Sequence, residues 1–249
     1  MGLVATEFLK LRTQRSMRIL LLISLVLTVA GFILFALGVR SATVPELSLG
    51  TEIIQRQLLG TGAGATLIII FSVVGITTEY RHQTITWSFL ATPERYKVLL
   101  AKLVTYALVA VAYGIVLAGI VTGAVMILLQ IENVALVVPW STIFTDYLRD
   151  FLSLAVAAGF GFAVGAIIVN QVVAIVIVFL EPIVSGLALG LFPKIGRFFP
   201  SQAGAAFLAD QQFPQDGFLS PTMGGLVIAG WLVVLVGVAI YLTQRRDIT

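Results

Sequence analysis

Long apolar runs separated by short polar stretches dominate the pattern of this chain. A bilayer core about 30 Å thick takes about 20 helical residues at about 1.5 Å each. Six runs near that length recur, at about 19–39, 58–78, 103–129, 148–169, 172–192 and 224–243. They predict six transmembrane helices, here spans 1 to 6, in an all-α polytopic membrane protein. No long polar segment remains between them, so residues 1–249 read as one membrane domain without a fused soluble domain. The first run is longer than a signal-peptide core of about 7 to 15 residues and is expected to be retained.

Three shorter patterns add elements. Over residues 1–18, Val4, Phe8 and Leu11 recur at helical spacing beside Leu3, with Lys10, Arg12 and Arg15 on the other side. That arrangement predicts a basic amphipathic helix lying in the membrane interface; the alternative is a basic topology signal with no helix of its own. After span 2, residues 83–90 predict a short helix with Ile85, Trp87, Phe89 and Leu90 as its apolar residues. Thr92 is placed as the N-cap of the next helix, with Pro93 at its first position. Span 3 then starts about two turns before the lipid, which gives a rigid lever with an apolar tip. Between spans 5 and 6, residues 193–221 interleave Phe198, Phe199, Phe207, Phe213 and Phe218 with Pro200 and Pro214. This mixture predicts short broken, re-entrant-like helices at the outer interface, within an outer segment of 193–223.

Composition and charge orient this layout. The chain is 59% hydrophobic and 11% charged, whereas a soluble domain is about one quarter charged. Ten of the fifteen Lys and Arg residues (Lys10, Arg12, Arg15, Arg18, Arg81, Arg95, Lys97, Lys102, Arg245, Arg246) fall on one side of the predicted membrane. Arg40, Arg56, Arg149, Lys194 and Arg197 fall on the other, with seven acids (Glu46, Glu52, Glu132, Asp146, Asp150, Asp210, Asp216). Basic loops stay in the cytoplasm, so both termini are expected inside. With no Cys, disulfides and thiolate metal sites are excluded.

Candidate chemistry is sparse. Glu181-Pro182 lies near the middle of span 5, where a charge costs on the order of 3 kcal/mol. Pro182 removes a backbone donor, so the helix is expected to kink or end there. Three roles are open for Glu181: a substrate or proton site on the translocation path, a structural or gating partner within the bundle, and a neutral acid. Asn170 and Gln171 mark the turn between spans 4 and 5. The pairs Gly60/Gly64, Gly119/Gly123, Gly161/Gly165 and Gly186/Gly190 allow close helix approach. The run Gly60-Thr61-Gly62-Ala63-Gly64 lacks the Lys-Ser/Thr of a phosphate-binding loop. His82 is the only histidine, so neither a His-based metal site nor a Ser-His-Asp triad is expected within the membrane, and His82 reads as loop surface with Glu79 and Arg81. Trp87 and Phe89, expected to be exposed, either enter a partner's pocket or sit at headgroup level.

The stretch Thr78-Glu79-Tyr80-Arg81-His82-Gln83-Thr84, followed by Leu90-Ala91-Thr92-Pro93-Glu94-Arg95, resembles the cytoplasmic loop of ABC-2 type transporter permeases. The order of features resembles that family along nearly the whole chain, including Leu180-Glu181-Pro182 in span 5. It is similar to the small six-span permeases of bacterial drug and antibiotic efflux systems. The resemblance implies the ABC-2 fold: six spans, an N-terminal interfacial helix, and a cytoplasmic coupling helix within 79–102. It also implies a multi-pass protein of the bacterial cytoplasmic membrane, in which two permease subunits, identical or different, pair with two cytoplasmic ATPases. Glu79, Arg81, His82, Thr84, Ile85, Trp87, Phe89 and Leu90 would then contact the ATPase, with Glu181 and Pro182 as path or gating candidates. ATP and Mg would belong to that partner; this chain would bind no cofactor, no metal and no nucleic acid, and would catalyse nothing itself. Gln83 departs from the family pattern, standing where many relatives have Gly. The rival expectation is a secondary transporter or channel using Glu181 as its intramembrane polar site.

Overall fold

The computed structural model describes residues 2–41, 48–61, 64–92, 94–208 and 219–246. Glu46, Gly62, Ala63, Pro93, Asp210, Phe213, Pro214, Asp216 and Phe218, all singled out above, lie outside the described residues. Every regular element among the described residues is helical: α1 (Leu3–Thr13), α2 (Arg15–Ser41), α3 (Glu52–Leu59), α4 (Gly64–Arg81), α5 (Thr84–Ala91), α6 (Arg95–Ile131), α7 (Trp140–Ile168), α8 (Gln171–Leu191), α9 (Pro193–Gly196), α10 (Pro200–Leu208) and α11 (Pro221–Arg245). The helices α2, α6, α7, α8 and α11, and the stretch from α3 through α4, are long and apolar enough to cross a membrane. The protein is thus built as a multi-pass helical bundle.

Successive crossings alternate in direction, which gathers α1, α5, the α7–α8 turn and the end of α11 at one face, the near face. Polar bonds hold this face together. Tyr80 Oη meets Thr243 Oγ1 at 3.2 Å, and Arg95 donates to the carbonyls of Thr243 (3.1 Å) and Arg246 (3.0 Å). The Arg246 guanidinium donates to Ala166 O at 2.7 Å and to Ile167 O, covering the carbonyls left open where α7 ends. At the opposite, far face lie α3, α9 and α10.

The centre of the bundle is the contact of α4 with α7. A Cβ on Gly161 would sit 2.3 Å from Ile69 O, and one on Gly165 2.5 Å from Ile76 Cγ2. The missing side chains therefore let the two backbones meet. The pairs Gly119/Gly123 and Gly186/Gly190 have open space where a Cβ would stand. Tyr106 of α6 fills the neighbouring space, with ring centroids 5.7 Å from Phe71 and 5.7 Å from Phe162. On the periphery, α2, α8 and α11 present mostly exposed apolar side chains, as helices facing lipid do.

Several expectations are corrected. Span 2 is not one helix from 58: α3 ends at Leu59, with Gly60 in extended backbone as its C-cap, and α4 begins at Gly64. The reason is Asp150 of α7, whose Oδ2 accepts from Thr61 N and Thr61 Oγ1, each at 2.8 Å, and so satisfies backbone that a continuous helix would have bonded internally. Span 5 does not break at Pro182; α8 runs through it. In lipid the remaining backbone groups have no partner but the helix itself, so one lost bond is tolerated. Thr92 is not the N-cap of α6. It closes α5, its N–H donating to Ser88 O at 3.1 Å, and Glu94 stands at the cap position of α6. In α1 the buried position is Glu7, while Phe8 is exposed, so the inward stripe is Val4, Glu7 and Leu11 rather than Val4, Phe8 and Leu11. Asn170 is the N-cap of α8, accepting from Val172 N (3.0 Å) and Val173 N (3.2 Å).

Candidate functional site

The near-face loop is a turn, a two-turn helix and a long lever. Gln83 adopts left-handed backbone (φ 55, ψ 16), which reverses the chain between α4 and α5. Gly is the residue with no penalty in this conformation, so Gln83 carries a backbone strain that Gly would not. From there α5 lies beside the start of α6, which runs 37 residues, about 55 Å at 1.5 Å each. The helical period divides α5 in two. Ile85 (1% exposed) and Phe89 (7%) are buried, with the Arg95 guanidinium 5.6 Å from the Phe89 ring centre. Trp87 (74% exposed) and Leu90 (71%) point away, alongside exposed Arg81, His82, Gln83 and Thr84. The expectation of an exposed Phe89 is thus overturned: i, i+4 spacing puts it on the same buried face as Ile85.

Beneath this loop lies a buried ionic cluster. Glu79, expected on the loop surface, turns inward from the last turn of α4, and both its carboxylate oxygens accept from Lys102 Nζ of α6 at 2.7 Å. Lys102 also donates to Glu7 of α1, which in turn pairs with Lys10 at 2.6 Å. The side chains of Lys102, Glu7 and Glu79 are 1%, 8% and 10% exposed, so the charges are compensated by one another rather than by water. Lys10 Nζ continues to Ser88 Oγ of α5 at 2.9 Å. Four elements, α1, α4, α5 and α6, are therefore joined by one chain of charge-assisted bonds, and α5 is held at both ends, since Thr84 Oγ1 also donates to Glu79 O at 3.3 Å. Displacing α5 would take Ser88 from Lys10, whose side chain is 40% exposed, and Thr84 from the Glu79 carbonyl, while Glu7, Glu79 and Lys102 keep one another; α5 is tethered to the cluster at two points.

Comparison with protein-family models and with curated protein sequences finds no match for this chain. Geometry and chemistry carry the functional argument.

The second candidate, Glu181, stands apart from this cluster. Its carboxylate reaches from α8 to the start of α10, accepting from Ser201 N at 3.1 Å and from Ser201 Oγ. An anion at a helix N-terminus satisfies open amides and opposes the helix dipole. Glu181 and Pro182 line a cavity of about 280 Å3 that also touches Ser153, Phe160 and Ile228. Among its three open roles, this geometry gives Glu181 a bonding partner of its own: it pins α10 across the cavity.

Glu7 and Lys102 were missed as site residues. The available signal was Lys102 itself, a lysine set in Leu99-Leu100-Ala101-Lys102-Leu103-Val104 and therefore in need of a buried anion.

Proposed function

We propose that this chain is the membrane-spanning permease subunit of an ATP-binding-cassette exporter of the ABC-2 type, residing in the bacterial cytoplasmic membrane with both termini inside. It moves a hydrophobic or amphipathic substrate such as a drug, lipid or peptide outward. A second permease subunit, identical or different, completes the path, and separate cytoplasmic ATPases that hold ATP and Mg supply the work. The observation that carries this reading is the apolar tip of α5: Trp87 and Leu90 project from a charged loop whose other side is anchored in the core. An exposed aromatic anchor on a rigid mount is what a partner's pocket takes. The ionic cluster and the long α6 give a push on that tip a stiff route into the bundle. The uneven division of basic residues supports the orientation.

Trp87→Asp combined with Leu90→Asp tests the reading. Truncating central interface anchors typically costs at least about 2 kcal/mol, roughly 30-fold in affinity. The double variant should fold as the native protein does, because both side chains are outside the core, yet lose co-purification with its ATPase and stimulation of ATP turnover. Undiminished association and transport would overturn the assignment.

A further inference from the structure

We propose that the far end of α7 holds a phospholipid with a primary-amine headgroup, its phosphate on Arg149, its ammonium on Asp150 and one acyl chain in the groove between α7, α10 and α11. The inference rests on the membrane reading of the six long helices and is independent of the transport reading.

Position comes first. Counting about 20 residues back from Ile168 at the near end of α7 places the far edge of the hydrocarbon at about Leu148. Arg149 and Asp150 therefore stand at headgroup depth. They line a cavity of about 420 Å3 bounded by α3, α7 and Leu208 at the end of α10.

Next comes what is left unpaired there. Arg56 and Asp146 neutralise each other through a two-pronged contact at 2.8 to 3.0 Å. Asp150 spends Oδ2 on Thr61, and its Oδ1 has no partner among the described residues. Arg149 makes no ion pair or hydrogen bond with any described residue. Among the described residues the cavity thus offers one unpaired guanidinium and one unpaired carboxylate oxygen, which is the complement of a phosphodiester next to an ammonium. A guanidinium binds a phosphate with two parallel donors. The carboxylate oxygen needs an N–H donor, which ethanolamine has and choline lacks.

Last comes the tail. Leu152, Ser153 and Val156 follow Arg149 at i+3, i+4 and i+7, one face of α7. They line a second cavity of about 470 Å3 with Phe207 of α10 and Leu226 of α11. Apart from Ser153 and Thr222 this groove is apolar, and Leu152 and Leu226 open it to the surrounding lipid. The 280 Å3 cavity beside Glu181 shares Leu208 with the charged cavity and Ser153, Val156 and Ile228 with the groove, and so links the head and tail sites. One amphiphile fits both.

Delipidated full-length protein in detergent, titrated with dioleoyl-phosphatidylethanolamine and followed by native mass spectrometry and thermal unfolding, tests this. Phosphatidylethanolamine should bind and raise the melting temperature, phosphatidylcholine should bind more weakly, and dioleoylglycerol, which lacks the phosphate, should do neither. Arg149→Gln should weaken phosphatidylethanolamine binding at least about tenfold, the loss of one charge-assisted bond, while Arg245→Gln at the near face leaves it unchanged. Stabilisation by dioleoylglycerol equal to that by phosphatidylethanolamine, equal binding of the choline and ethanolamine lipids, or displacement of the lipid by millimolar inorganic phosphate would overturn the proposal on the native chain alone. No ATPase enters the assay, so a negative result leaves the transport reading untouched.

Discussion

Lys102→Met is the sharpest perturbation of the near face. The change keeps the length and apolar stem of the side chain and removes its charge. Glu7 retains Lys10 at 2.6 Å, but Glu79 loses the donor that meets both its oxygens at 2.7 Å. With 10% of its side chain exposed, Glu79 cannot recover that loss from water. Breaking a buried pair from one side costs about 3–5 kcal/mol, roughly a hundredfold to several-thousandfold in the folding equilibrium. For a chain of this size each kcal/mol shifts the melting temperature by about 2–4 °C, so a drop of about 6–20 °C is expected. Thermal unfolding of purified protein measures it. Adding Glu79→Gln to Lys102→Met removes the stranded charge and should return most of the stability, since neutral replacement of a whole buried pair is close to neutral in energy. A melting temperature within about 2 °C of native for Lys102→Met, or no recovery in the double variant, would refute the argument that the cluster is held by mutual compensation.

Three further outcomes are expected. Glu181→Gln and Ser201→Ala should each lower stability by about 1–2 kcal/mol, and a double-mutant cycle should give a coupling of at least about 0.5 kcal/mol; strict additivity in unfolding measurements would dissolve the clamp on α10. Gly161→Ala forces a Cβ to within 2.3 Å of Ile69 O and should cost about 1–3 kcal/mol, whereas Gly123→Ala, with open space at its Cβ, should be neutral or stabilising by up to about 1 kcal/mol; similar melting temperatures for the two would contradict the α4–α7 contact. Gln83→Gly should leave stability equal or raise it by up to about 1 kcal/mol, and Gln83→Val should lower it by at least as much, because β-branched residues are strained at φ 55; calorimetry showing the reverse order would exclude the left-handed turn.

The run lengths of apolar residues alone determined six crossings, because bilayer thickness converts directly into helix length. The lever at the near face was legible for the same kind of reason. A charged stretch with Ile85, Trp87, Phe89 and Leu90, set between two long runs, has to leave the lipid and cannot stay extended without hydrogen-bond partners. Periodicity within eight residues did not say which of those side chains faces inward. The neighbour did: once α6 lies along α5, Ile85 and Phe89 share the covered side and Trp87 and Leu90 the open one. Partners far apart in sequence were beyond reach for a deeper reason. Glu7 is an ordinary charge in a short amphipathic helix and Glu79 and Lys102 are ordinary charges near the ends of apolar ones, and only the docking of α1 against α6, with α4 alongside, removes the water that would have solvated them separately. The same holds at the far face, where Asp150 ends α3 through Thr61 and Glu181 caps α10 through Ser201. A side chain replaces a local backbone bond in both cases, and local sequence reasoning, which assigns each residue to its own helix, has no access to a bond supplied by another.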